Sequence, residues 1–66
     1  MTARAEAPYT GKRFKVLKPN MFFPHDFEVI EETITLIRLR NDVETYWLTH
    51  IRFTASLADG IFQERS

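Results

Sequence analysis

The stretch from Phe27 to Phe53, FEVIEETITLIRLRNDVETYWLTHIRF, constrains the fold of this chain more than any other. Val, Ile, Thr, Tyr, Trp and Phe supply most of both arms, and these β-branched and aromatic residues favour strands over helices. The Asn41-Asp42 step between the arms is typical of a hairpin turn. We therefore predict a mainly β fold: a small antiparallel sheet or partly open barrel of four to five strands around a central hairpin.

A helical reading of the same stretch competes with the hairpin. Asp26 is placed to cap one helix and Asp42 to cap a second, and both segments carry apolar residues at helical spacing. The alternative fold is therefore an α-helical hairpin plus an N-terminal strand. The strand-favouring composition makes this the second choice.

A two-residue turn at Asn41-Asp42 fixes the register of the predicted hairpin, with Leu36 opposite Trp47. The face that carries Trp47 is mainly apolar and is expected to form the core. Glu32 falls on this inner face as its exception. On the other face Glu31 lies opposite Arg52, and such a pair of opposite charges supports the register.

The second face of the hairpin carries a further apolar cluster, with charged residues beside it. Either Phe22, Phe23 and the C-terminal segment fold over this cluster, or another chain covers it. Exposed apolar patches rimmed by charge mark interaction sites. The predicted protein interface consists of Ile37, Leu39, Tyr46 and Leu48, with Arg38, Arg40 and Glu44 as a polar rim. On this hypothesis Tyr46→Asp leaves the isolated fold intact and abolishes association.

The remaining segments are short. Residues 1–11 lack periodicity and are predicted to form a flexible tail before a single small domain over residues 12–66. A first strand is expected from Lys12 to Lys18, and a last one from Ile61 to Gln63. Asp59-Gly60 reads as a turn or a helix end.

The predicted first strand suggests an alternative function. Nucleic acid could be bound there by Arg13, Lys15 and Lys18, because basic side chains that alternate with apolar ones can follow phosphates along a strand. Against this, nine basic residues balance nine acidic ones over the chain, so no overall field attracts a polyanion. An amphipathic edge strand protected by lysine is the preferred explanation of the pattern.

Chemistry-bearing motifs are missing from the sequence. The chain has no cysteine, only two glycines, and two histidines, His25 and His50, that do not stand at a metal-ligand spacing. We therefore expect no enzyme activity, no cofactor and no metal. Because no apolar run approaches the roughly 20 residues of a membrane helix, we expect a cytoplasmic protein.

The function predicted from these observations is that of a non-enzymatic protein-binding module, an accessory subunit or inhibitor of a larger assembly. Its partner would be another protein or a second copy of itself, since a domain this small gains stability by association. The strand pattern from Glu32 to Phe62, which includes HIRFTASLADGIF, resembles that of bacterial pleckstrin-homology-like domains. The long terminal helix of that fold has no counterpart here, so no residue role is carried over.

Overall fold

The computed structural model describes residues 8–65, which form a five-stranded antiparallel sheet and one short helix. The elements are β1 (Arg13–Val16), β2 (Phe27–Glu32), β3 (Leu36–Arg40), β4 (Thr45–Thr49), α1 (His50–Ala58) and β5 (Phe62–Glu64). The strand order is β4-β3-β2-β1-β5, which leaves β4 and β5 as the two edges of an open sheet. The mainly β prediction is confirmed, in the form of a sheet that does not close into a barrel.

The first arm of the predicted hairpin is two strands, because a turn at residues 33–35 divides it. The backbone amide of Thr33 donates to the carbonyl of Leu36 at 2.8 Å, and the Thr33 hydroxyl accepts from the Leu36 amide at 2.9 Å. A threonine side chain that bonds the nearby backbone favours a turn over a continuous strand. β2 and β3 therefore pair with each other, with a register shift between Val29 and Glu31.

The loop between β3 and β4 is longer than the predicted two-residue turn. Asn41 Oδ1 accepts from the backbone amides of Val43 and Glu44, at 2.8 and 2.9 Å. The two-residue turn predicted at this Asn-Asp step requires left-handed backbone at one or both central residues. In residues 8–65 only Gly11 and Gly60 have positive φ. The register is therefore shifted by two, with Thr45 opposite Arg40, and an even shift keeps every side chain on its predicted face.

The second arm leaves the sheet earlier than predicted, because α1 begins at His50. Thr49 caps the helix in an extended conformation, and its side chain accepts from the Arg52 amide at 3.2 Å. This cap ends β4 and turns the chain across the sheet. The predicted pairing of Glu31 with Arg52 is therefore wrong, and Glu31 lies opposite Arg38 instead.

The core lies between the sheet and α1, on the face opposite to the predicted one. It consists of Phe14, Phe23, Phe27, Val29, Ile37, Leu39, Phe53 and Phe62, all buried. Phe53 from α1 contacts Phe62 from β5 at 5.0 Å between ring centroids, and Phe14 from β1 at 5.5 Å. Trp47, predicted to face the core, is 43% exposed. The helix decides this outcome, because it crosses the sheet on the side that carries Ile37.

The predicted flexible tail falls partly outside the described residues, which begin at residue 8. Tyr9 belongs to the folded part: its ring centroid lies 4.9 Å from that of Phe53. The Gly11 amide donates to the Val29 carbonyl at 2.8 Å. The chain thus contacts the core before residue 12, where the domain was predicted to begin.

Candidate protein-binding surface

The two faces of the sheet have different surroundings. α1 and the loop before β2 cover one face, which we call the inner face. The other, the outer face, carries alternate side chains of every strand and is not covered by any segment of residues 8–65. Arg13 and Lys15 on β1 and Leu36 and Arg40 on β3 are exposed there.

The predicted interface cluster lies on the inner face. Ile37 and Leu39 are fully buried, and Tyr46 and Leu48 are partly buried against the core. The chain's own segments cover this cluster, which was one of the two alternatives. The prediction that these four residues form an exposed interface is therefore wrong, because α1 and the loop before β2 fold over them.

Tyr46 is held by a specific contact rather than offered to a partner. Its hydroxyl donates to the carbonyl of Phe22 at 2.6 Å, which ties β4 to the loop before β2. Burial, with a smaller contribution from the charge of Glu44, raises the pKa of Tyr46 to about 12. Both effects favour the neutral, enclosed phenol.

The predicted rim residues are separated from that cluster. Arg38 and Arg40 project from the outer face, and Glu44 is exposed in the loop before β4. Arg40 forms a 2.8 Å ion pair with Glu28 on the neighbouring strand. Arg38 lies 3.5 Å from a carboxylate oxygen of Glu31, and its guanidinium carbon lies 5.6 Å from the centroid of the Trp47 ring. A cation at this distance from an indole is weakly attracted to the ring.

Exposed apolar side chains cluster at one end of the β3–β4 hairpin instead. They are Ile34, Leu36, Trp47 and Ile51, exposed by 94%, 39%, 43% and 81%, and we call them the outer apolar patch. Leu36 pairs with Thr49, and the His50 amide donates to the Thr35 carbonyl at 2.9 Å. These bonds bring the Ile34 turn beside the start of α1. The alternation pattern predicts the four residues on one side of a hairpin and facing the core; instead Ile34 lies in a turn, Ile51 lies in α1, and all four are exposed.

Glu32 is buried, but not on the Trp47 side. The register shift after Val29 turns it to the inner face, opposite Ile37. Its side chain is 0% exposed. One carboxylate oxygen accepts from the Tyr9 amide at 2.8 Å and from the Thr10 hydroxyl at 2.9 Å, and the other lies 3.1 Å from His50 Nε2. Glu32 therefore joins the N-terminal segment, β2 and α1, which is a structural role.

The residues of the predicted nucleic-acid site are only partly brought together. Arg13 and Lys15 share the outer face of β1, whereas Lys18 lies beyond the end of that strand. The chain bends at Leu17 and Lys18, whose amides both donate to the Ile61 carbonyl, so Lys18 does not continue the row of Arg13 and Lys15. The nearest exposed ring on this face, Trp47, is three strands away from Lys15, or roughly 14 Å.

Two open depressions adjoin Arg13 at one end of the sheet, with volumes of about 410 and 390 Å³. Both are also lined by Arg65. The larger one contains the carboxylates of Asp26, Glu28 and Asp42, which offset its cations. Neither depression is enclosed, so neither excludes water as a catalytic pocket does.

The described residues contain neither a metal-binding group nor a membrane-spanning helix. Within residues 8–65 no three His, Cys, Asp or Glu side chains form a group that could hold a metal ion. The only helix of the described part, α1, has nine residues, too few and too polar to cross a membrane.

Comparisons with known proteins add no functional information. No family model, no curated protein and no solved structure matches this chain. The likeness to pleckstrin-homology-like domains thus rests on the strand pattern alone.

Proposed function

We propose that this chain is a non-enzymatic protein-binding module, an accessory subunit or inhibitor of a larger assembly, which binds its partner through the outer apolar patch. One observation carries the proposal: Leu36 and Trp47, both half-exposed, lie diagonally across the β3–β4 ladder on a sheet face that the described chain leaves uncovered. A contiguous apolar surface with a charged border is typical of interaction sites.

The composition of the patch supports the same function. Tryptophan and arginine are the residues most enriched among those that dominate binding energy, and Trp47 and Arg38 are in contact here. Arg38 and Arg40 form exposed ion pairs with Glu31 and Glu28, so charged side chains border the apolar residues.

Pull-down from the native lysate tests this proposal with a matched pair of variants. Leu36→Lys places a charge in the patch on β3. Leu17→Lys changes a residue of similar exposure, 47% against 39%, that lies beyond β1 in the other half of the sheet. We expect wild type and Leu17→Lys to capture the same protein at fixed stoichiometry and Leu36→Lys to lose it. Capture that is unaffected by Leu36→Lys contradicts the proposal.

The alternative function is nucleic-acid binding by Arg13, Lys15 and Lys18. The exposure of Arg13 and Lys15 on one strand face favours it, as does the position of Arg13 beside Lys12 and Arg65 in a single depression. Binding of a single-stranded oligonucleotide at 20 mM salt, lost steeply as salt rises, supports this alternative. No binding at low salt, or equal binding by Arg13→Ala/Lys15→Ala, removes it.

A further inference from the structure

We infer that the exposed edge of β4 pairs with β4 of a second copy of this chain, so that two sheets join into one about a two-fold axis through Trp47. This inference rests on the proposed protein-binding function and names one partner for it, the chain itself. The geometry of the strand, its sequence and the charges at its two ends support it independently.

The backbone of β4 has bonding groups without a neighbouring strand on one side. β4 pairs only with β3, and the amide of His50 bonds the carbonyl of Thr35. Hydrogen-bonded pairs alternate in an antiparallel ladder, so Ile37–Leu48 and Leu39–Tyr46 are the bonded pairs. Thr45, Trp47 and Thr49 consequently direct their amides and carbonyls away from β3. No turn or loop backbone hydrogen bond within residues 8–65 involves these three residues, but Thr49 caps α1, so its carbonyl accepts the first bond of that helix and only its amide is free to pair.

This edge lacks the usual protection against pairing. Edge strands are normally blunted by charged side chains, proline, a bulge or short length. β4 has five residues, Thr-Tyr-Trp-Leu-Thr, with no charge, no proline and an unbroken register. The opposite edge, β5, is only three residues long and carries Glu64, which lies 3.4 Å from Lys12 Nζ. Of the two edges of the described sheet, β4 is the one suited to strand addition.

The sequence of β4 is nearly symmetric about its middle residue. When two copies run antiparallel with Trp47 opposite Trp47, each Thr45 faces Thr49 and each Tyr46 faces Leu48. The Trp47 pair then exchanges two backbone hydrogen bonds and each Thr49 amide faces the Thr45 carbonyl of the other copy, whereas a register moved by two residues in either direction loses the pairing of Trp47 with itself. The two indole rings meet on the outer face, where an aromatic cross-strand pair stabilises a sheet. Tyr46 and Leu48 continue the inner apolar layer.

The chain on either side of β4 is complementary to itself in this arrangement. The loop before β4 carries Asp42 and Glu44, and α1 begins with His50 and Arg52. Antiparallel pairing brings the acidic loop of each copy toward the helix start that carries Arg52 in the other, which favours this direction of pairing. Val43 and Ile51, exposed by 73% and 81%, stand at equal distances in sequence from Trp47, one in the loop before β4 and the other at the start of α1.

A charge exchange at Trp47 tests the two-fold axis, because this residue faces its own copy. We expect wild type to sediment at twice the 7.8 kDa of one chain. Trp47→Lys and Trp47→Glu should each be monomeric, with self-association weakened more than about 100-fold by like charges. An equimolar mixture of the two should dimerise again. Leu17→Lys is the control and should dimerise as wild type does.

The register is tested with variants that keep Trp47. Thr49→Asp retains a capping side chain for α1, and Thr45 faces Thr49 in the inferred dimer. Thr45→Lys/Thr49→Asp should therefore dimerise, whereas Thr45→Asp/Thr49→Asp should not. The two proteins differ at one exposed position, so circular dichroism should find both equally folded.

A wild-type chain that sediments as a monomer at 0.5 mM overturns the inference, as does a dimer that persists in Trp47→Lys. The inference is also overturned if the mixture of Trp47→Lys and Trp47→Glu stays monomeric, or if Thr45→Lys/Thr49→Asp does. These outcomes can be told apart from those that test the proposed function. If the wild type is monomeric but captures a protein that Leu36→Lys does not, the proposed function is supported and the dimer is contradicted. If the wild type is dimeric but captures no other protein, the dimer is supported and the role as an accessory subunit is contradicted.

Discussion

The hydroxyl of Tyr46 donates a 2.6 Å hydrogen bond to the backbone carbonyl of Phe22, 24 residues earlier in the chain. This bond joins β4 to the loop that delivers Phe23 to the core. It also explains why Tyr46 is unavailable as the centre of an interface. The same residue consequently provides three tests of the fold.

Removal of the hydroxyl isolates the contribution of the bond. Tyr46→Phe keeps the ring but leaves the Phe22 carbonyl without its donor, so we expect the free energy of unfolding to fall by about 1 kcal/mol. Tyr9→Phe is the control, because the Tyr9 hydroxyl has no hydrogen bond to any other described residue. Urea denaturation at pH 7 measures both. If Tyr46→Phe and Tyr9→Phe lower the free energy of unfolding equally, the bond to Phe22 does not contribute to stability.

Alkaline pH should act through the same phenol. Burial, and secondly the charge of Glu44, raises the pKa of Tyr46 from 10.0 to about 12. The folded state therefore favours the protonated phenol, and its stabilising effect is complete below pH 10 and is lost as pH rises from 10 to about 12. We expect the stability advantage of wild type over Tyr46→Phe to shrink across this window. An advantage that stays constant to pH 12 would argue against an enclosed phenol.

Tyr46→Asp should unfold or strongly destabilise the chain, contrary to the sequence-based expectation that the fold survives it. The variant replaces a ring packed on the core by a carboxylate and removes the bond to Phe22. We expect a loss of more than about 2 kcal/mol, measured by thermal unfolding. The sequence-based expectation is restored if the variant melts at the wild-type temperature.

Glu32 and Glu31 form a matched pair for testing the buried carboxylate. Glu32→Ala removes three contacts of a side chain that is 0% exposed, and we expect it to cost about 2 to 3 kcal/mol. Glu31 is 52% exposed and forms only a 3.5 Å ion pair with Arg38. Glu31→Ala should therefore change stability by less than about 1 kcal/mol. Similar losses in chemical denaturation of the two variants would refute the assigned role of Glu32.

Local sequence was enough to predict strands in this chain, but not where they end. The β-branched and aromatic residues of both arms predicted β3 and β4. The turn at Thr33 was missed because it depends on a threonine side chain that bonds Leu36, in a segment with no glycine or proline. The helix start was missed because Thr49 and Arg52 read equally well as alternating strand residues.

Alternation determined which side chains share a face, and this held for Leu36 with Trp47 and for Ile37 with Leu39. It could not determine which face turns inward, because both faces carry large apolar residues. The tertiary structure decided that when α1 crossed the Ile37 side and brought Phe53 against Phe14 and Phe62. Contacts between residues far apart in sequence leave no trace in a local pattern. The sequence therefore defined two faces, and long-range packing of phenylalanine rings chose the one that remains exposed around Trp47.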